Sequence, residues 1–383
     1  MSINNVAPNT HLKRFTLENF KAFQKCVLDL APLTIFIGEN SSGKSSLLQA
    51  LLVLKQTLES PSGGGVLNLD SHYVQFHQFR EMVFGMPLDE AIVGFELDFD
   101  DFRLSFKVGA KNQQDELALL EMHLNGKPLS IQTLLEDTSL LAYLMAQEVK
   151  CYLDVLKIFN SLGYLQPVRP SPSRYYHLRG IKPDWIGIQA ENIADFLESF
   201  PGAKQKVRNW FVKTAKMVRE VRIKGDQKRG QTEILFTETA TGLEIDISRL
   251  GLGYSQILPI VVATLTPKNM LIFEAPEIHL NPNLHGALTD LFIESVKNGK
   301  QILVETHSEF MVYRVQRRIA EGKIAPNEVA IYFVQRGEKG STAKRLTVTE
   351  DGEIPDWPTG FFEAKMQDIF ERVIGRPKNS TIQ

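Results

Sequence analysis

From Ile35 to Leu48 the chain carries Gly38, then Glu39, Asn40, Ser41 and Ser42, then Gly43, Lys44, Ser45 and Ser46. A polyphosphate needs many N–H donors at close range. Two glycines let a backbone curl around it, while a helix starting at the second one points its positive end inward. In such a loop Lys44 reaches the β- and γ-phosphates and the Ser45 hydroxyl ligates Mg²⁺. Leu33 to Ile37 is an apolar, β-prone run before the loop, and Leu47, Leu48, Leu51, Leu52 and Leu54 follow it at helical spacing. Strand, phosphate loop and helix is the expected local structure, with ATP and Mg²⁺ as ligands. Two more apolar runs end in polar chemistry. Met270 to Phe273 closes on Glu274, suited to hold Mg²⁺ through water, although an acidic cap on a buried strand is the plainer alternative. Gln301 to Glu305 leads to Thr306, His307 and Ser308, where His307 can touch the γ-phosphate and sense its loss.

The elements that position these groups follow from hydrophobic period. Leu12, Phe15 and Leu17 indicate a strand, Glu18-Asn19 a turn, and Val27, Leu28 and Leu30 a return strand. Val93 to Phe99 and Phe102 to Val108 alternate around Asp100-Asp101 as a hairpin, and Leu117 to Leu124 with Asn125-Gly126 predicts a second. The Asp98-Phe99-Asp100 triplet reads as a solvated turn. Ile131 to Phe159 has helical period, and Pro167, Pro170, Pro172 and Pro183 punctuate an irregular stretch after it. Pro201 to Ile223 reads as one amphipathic helix with Val207, Trp210, Phe211, Met217, Val218 and Val221 on one side. Lys204, Lys206, Arg208, Lys213, Lys216, Arg219, Arg222, Lys224, Lys228 and Arg229 crowd the same stretch, which predicts either a solvated face or a DNA-binding helix. Strands resume at 234–237, 270–273, 302–305, 329–334 and 346–348, alternating with helical patterns. The predicted fold is α/β, a phosphate-loop NTPase with a mixed central sheet, an N-terminal antiparallel β subdomain and an inserted, largely helical lid. Residues 1–110 and 231–383 form its two halves and 111–230 the insertion.

Taken in order, the phosphate loop, Leu250-Gly251-Leu252-Gly253-Tyr254-Ser255-Gln256, Phe273-Glu274-Ala275-Pro276-Glu277-Ile278-His279-Leu280-Asn281-Pro282 and Glu305-Thr306-His307-Ser308 resemble the ABC-type head ATPases of the SMC, RecF and OLD group. Leu17-Glu18-Asn19-Phe20-Lys21-Ala22-Phe23 is similar to that group's first hairpin. More narrowly, Gly251 to Pro259 and Trp357-Pro358-Thr359-Gly360-Phe361-Phe362-Glu363 resemble stand-alone bacterial AAA-type ATPases with a C-terminal domain of unknown function. The resemblance covers roughly residues 10–60 and 235–370. It implies an ATP-sandwich homodimer, in which Lys44 of one protomer and the Gly251 to Gln256 signature of the other clasp one ATP. Here Gly251 replaces the serine that leads the transporter signature, so the γ-phosphate contact comes from backbone N–H groups or from Ser255. Where relatives place a catalytic glutamate after the metal-facing carboxylate, this chain has Ala275, which cannot orient water. Either Glu277 reaches the water after a shift of the Pro276 turn, or hydrolysis is slow and ATP mainly holds the dimer closed. The glutamine loop of the group corresponds to Gln78 or Gln166.

At 383 residues, 43% hydrophobic and 23% charged, the composition is that of an ordinary globular protein. Its net charge of −2 gives no global attraction to nucleic acid. Cys26 and Cys151 have the setting of buried free thiols, and no run is long enough to span a bilayer, so a cytoplasmic ATPase is expected. The resemblance implies a role on DNA or in bacteriophage defence, with an effector protein encoded nearby. A transporter subunit is the alternative, disfavoured by the altered signature and the insertion. An intrinsic nuclease is not expected, since about 75 residues follow His307, fewer than a fused nuclease domain needs.

Overall fold

The computed structural model describes residues 11–60, 66–87, 91–110, 117–129, 149–226 and 228–358. Its first sheet is antiparallel. Strands β1 (Arg14–Phe20), β2 (Phe23–Asp29), β4 (Ile92–Asp98), β5 (Arg103–Ala110), β6 (Leu117–Leu124) and β7 (Lys127–Pro128) are arranged in the order β2-β1-β4-β5-β6-β7. The central sheet is built from β3 (Leu33–Gly38), β8 (Leu162–Leu165), β13 (Met270–Glu274), β14 (Gln301–Glu305), β15 (Val329–Gly337) and β16 (Gly340–Leu346) in the order β16-β15-β3-β14-β13-β8. All its neighbours are parallel except the β15–β16 hairpin at one edge.

Parallel strands covered on both faces need apolar residues at every position, and alternate residues then enter opposite cores. Phe36, Ile272, Leu303, Ala330 and Tyr332 face a core shared with the first sheet and helix α1 (Lys44–Glu59). Ile35, Phe273, Val304 and Ile331 face a second core. That core also contains Leu258 of a helix at Leu252–Leu265, Phe292 of one at Pro282–Lys297 and Val315 of one at Glu309–Ala320. The two sheets are tied together at Tyr332, whose hydroxyl accepts from Asp29 N (2.7 Å) and donates to Asp29 O (3.1 Å).

Several expectations are corrected. The first strand runs through Glu18-Asn19 to Phe20, and the turn falls at Lys21-Ala22, because Phe20 pairs with Phe23 and both rings are fully buried. The expected 201–223 helix is α-helical only over Pro201–Asn209, continues as a π turn to Thr214, and gives way to a strand, β10 (Glu220–Asp226). There Val221 and Ile223 alternate inward and pair with β11 (Gln231–Thr237), so a period of two overrides the helical one. Its basic residues are also partly neutralised, Lys204 by Glu198, Arg222 and Lys224 by Glu244, and Arg229 by Asp226. Within the stretch 111–230, Leu162–Leu165 pairs with β13 inside the central sheet. The last strand is Gly340–Leu346 rather than 346–348, hidden because Ser341-Thr342-Ala343 lacks an apolar rhythm.

The two hairpins stand as expected, and at the second both Asn125 (φ 53°) and Gly126 (φ 76°) are left-handed, the conformation a primed turn requires. Asp98 and Asp100 at the tip of the first hairpin pair with Arg103 and Lys13. Cys26 is buried and free, whereas the Cys151 side chain and residues 131–148 and 359–363 lie outside the described residues. Among the described residues no helix is long and apolar enough to cross a membrane.

Candidate functional site

The parallel strands β3, β14, β13 and β8 all point their C-terminal ends to one edge, where loops and polar side chains collect. After β3, Gly38 (φ 146°), Ser41 (φ 61°) and Gly43 (φ 105°) turn the chain back tightly enough to begin α1 at Lys44. No side chain caps α1 and its first turn holds no acid, so its end is electropositive and free of a resident carboxylate. Glu39, Asn40 and Ser41 are exposed on the rim. Ser42 and Ser46 are buried, and the Ser42 hydroxyl makes no hydrogen bond within the chain.

Lys44 is buried, with its ammonium donating to Gly38 O (3.0 Å) and Glu39 O (2.7 Å). Desolvation lowers its pKa, against the pull of Glu305, Glu277 and Glu39. Its amine is therefore poised over the loop, held by weak acceptors that phosphate oxygens can replace. Ser45 points the other way and donates to Glu305 Oε1 at 3.0 Å.

Glu274 lies at the end of β13 and accepts from the Tyr164 hydroxyl at 2.7 Å. Its register partner on β14 is Glu305, so two carboxylates stand side by side at the sheet edge. Glu305 is only 5% exposed, and its carboxyl is pushed up to about 7, first by burial and next by the charge of Glu274, with the Ser45 hydrogen bond and Lys44 opposing. Glu277 Oε1 accepts from the His307 backbone N–H at 2.7 Å, and its Oε2 is buried without a partner. Glu277 thus anchors the His307 loop. His307 itself is exposed at the rim, and partial desolvation followed by the charge of Lys44 lowers its pKa, which favours the neutral imidazole. Ala275 is buried with φ 42°, its N–H donating to Glu305 O at 2.8 Å.

The signature residues head a helix whose apolar side lies in the second core, whereas that of α1 lies in the first. Gly251 is exposed, and a side chain added there would meet nothing within 4 Å, while Leu252 is exposed and Gly253 partly so. Ser255 and Gln256 are buried. The Ser255 hydroxyl donates back to Leu252 O (2.8 Å). What the helix at Leu252–Leu265 presents outward is its N-terminal backbone. Gln166 follows β8 at the same edge as Glu274 and donates to Val168 O, whereas Gln78 is exposed before a short 3₁₀ turn at Phe79–Met82.

Sequence reasoning missed three residues. Glu305 was visible as a second apolar strand ending in glutamate, but its adjacency to Glu274 needs the strand order. Tyr164 sits on an edge strand inside the supposed insertion. Arg169, 6% exposed in the proline-rich stretch, donates to Gln256 O (3.0 Å) and to Pro276 O (3.5 Å), joining the signature helix to the Glu274 turn.

Glu305 makes stability pH-dependent in the nucleotide- and metal-free protein. Its folded pKa lies above the ordinary 4.5, so between pH 4.5 and about 7 the unfolded chain sheds this proton while the folded one keeps it. Stability from this group falls as pH rises through that window and is level above it. Glu305→Gln is expected to melt increasingly above wild type from pH 4.5 to 7, by at most about 3 kcal/mol. Melting curves in EDTA that keep a constant gap would show the carboxylate to be solvated.

The chain is similar to several known proteins. It is 21% identical over 348 residues to the OLD nuclease of Thermus scotoductus, covering 86% of this chain and 65% of that protein. In fold it is similar to the SmcHead bound to the C-winged helix domain of ScpA, with a TM-score of 0.57, 15% identity, and coverage of 89% of this chain and 98% of that one. The Smc head domain with an extended coiled coil, bound to the C-terminal domain of ScpA derived from Pyrococcus furiosus, gives a TM-score of 0.56 at 13% identity, covering 95% and 100%. The fold is that of an SMC-type ATPase head. A family of unknown function, DUF3696, matches residues 324–371. The AAA ATPase domain matches residues 11–160 and 181–312, and the chain belongs to that family of ATPases.

Proposed function

We propose that this protein is an ATP-binding, slowly hydrolysing head that closes as a homodimer around two nucleotides and acts in a nucleic-acid setting, on DNA or in bacteriophage defence, through a partner effector. The observation that carries the reading is the pairing of a phosphate loop at Gly38–Ser46, whose helix is uncapped and packs in the first core, with an exposed start at Gly251 of a helix that packs in the second. A phosphate loop that encloses only one side of a triphosphate leaves the other side to a second protomer. Lys44 and the backbone N–H groups of the loop bind and orient the phosphates, and Ser45 with Glu274 would hold Mg²⁺, which would supply charge neutralisation. Slow turnover is supported by Ala275, which brings no carboxylate, and by Glu277, already committed to His307 N–H. Similarity to the OLD nuclease supports the nucleic-acid setting over the transporter alternative.

The test is ATP-dependent association. Light scattering is expected to show a monomer that becomes a dimer with Mg–ATP and not with Mg–ADP. Gly251→Phe, placed where φ is −56° and space is open, is expected to keep the fold and ATP binding while losing the dimer. A Gly251→Phe protein that dimerises like wild type would sink the sandwich.

A further inference from the structure

Glu305 takes no part in the ligand set just described, yet it has the features of a charge built to face a cation. Its Oε1 accepts the Ser45 hydroxyl proton, which leaves the lone pairs of Ser45 Oγ free to turn outward. Its Oε2 is fully buried and makes no hydrogen bond within the chain. A carboxylate oxygen in that condition costs free energy unless something positive or protic meets it. Glu274 stands beside it in register, with one oxygen on Tyr164. Two adjacent carboxylates repel each other, and Lys44 gives its hydrogen bonds to Gly38 O and Glu39 O rather than to either of them.

We infer that Glu305 is a metal-facing carboxylate, which orients Ser45 with one oxygen and meets the divalent cation of Mg–ATP or its water shell with the other. This role is distinct from that of the water-orienting carboxylate that Ala275 does not provide. Among the described residues no group of three or more His, Cys, Asp or Glu is arranged to hold a metal ion alone. That suits Mg²⁺, which is held through one or two carboxylates and completed by phosphate oxygens. Glu277 likewise has one bonded and one unpartnered oxygen, but its bonded oxygen holds the His307 backbone, whereas that of Glu305 holds the Ser45 hydroxyl and Glu305 stands in register with Glu274.

The inference rests on the ATP reading above, and its test separates the two. Mn²⁺ binding to the ATP-loaded protein is read by electron paramagnetic resonance, and metal-free ATP binding by a fluorescent analogue in EDTA. Glu305→Gln is expected to weaken Mn²⁺ about 10- to 100-fold, the usual range for residues supporting a metal. Metal-free ATP binding should hold or tighten, because a negative charge near the phosphates has gone. Glu305→Asp keeps the charge and is expected to recover most of the Mn²⁺ affinity, and it serves as the test should the glutamine variant fold poorly. A purely packing role would not move the two affinities in opposite directions. If ATP binds in EDTA and Mn²⁺ affinity is the same in wild type, Glu305→Gln and Glu305→Asp, the inference is overturned alone. If wild type binds no ATP in EDTA or with Mn²⁺, the nucleotide reading falls and takes the inference with it.

Discussion

Lys44→Ala is expected to weaken ATP binding by at least about 10²-fold, since hydrogen bonds to charged groups contribute roughly 1.5–3 kcal/mol each and this ammonium serves two phosphates. The variant should fold. In the free protein the Lys44 ammonium is desolvated and bonded only to Gly38 O and Glu39 O, so its removal takes away a costly buried charge along with two hydrogen bonds. Those effects oppose each other, and a melting temperature within a few degrees of wild type is the expected control. Isothermal titration with ATP decides the matter. Wild-type affinity in a folded Lys44→Ala protein would remove the phosphate loop from the nucleotide site and with it every role assigned around it.

The second large effect is structural. Gly38 has φ 146°, a region L side chains rarely enter, and an added Cβ would lie 2.0 Å from Val334 O on the neighbouring strand. Backbone has no rotamer by which to move aside, so β3 and β15 would have to separate at the register pair Gly38–Val334. Gly38→Ala is therefore expected to cost on the order of 4 kcal/mol or more, seen as a fall of roughly 10 °C in melting temperature or as insolubility. Gly251→Ala is the matched control, with nothing within 4 Å of the added carbon and an expected change within about 0.5 kcal/mol. A Gly38→Ala protein that melts with wild type would mean that the β3–β15 contact is not closed as described.

The phosphate loop, the Glu274 strand and the His307 strand were legible because a parallel strand buried on both faces is a continuous apolar run, and chemistry begins where the run stops. Elements whose signals overlap were not. Val207, Trp210 and Phe211 have helical spacing, and Met217, Val218 and Val221 extend that rhythm by coincidence although Val221 belongs to a hairpin. The roles of Glu305 and Ser255 were hidden for a different reason. Residue type shows that a carboxylate or hydroxyl is present, but only strand order shows that Glu305 lies beside Glu274, and only packing shows that Ser255 turns into its own helix. Arg169 was missed because an isolated arginine among prolines carries no period at all.

Ser45 and Glu305 are hydrogen-bonded across 260 positions of sequence, and Asp29 and Tyr332 across 303. No local segment can form the nucleotide site early, because its walls come from opposite ends of the chain and meet only when the parallel sheet is in register. Such non-local topology makes folding slow. It also means that the complete site, with Glu305 against Ser45, exists only once β14 has paired with β3. By mass action the nucleotide then stabilises the whole sheet by about 2.7 kcal/mol at one hundred times its dissociation constant. A nascent or damaged chain would be left without that protection, so a rise in nucleotide lengthens the life of complete copies and leaves imperfect ones as exposed to proteolysis as before.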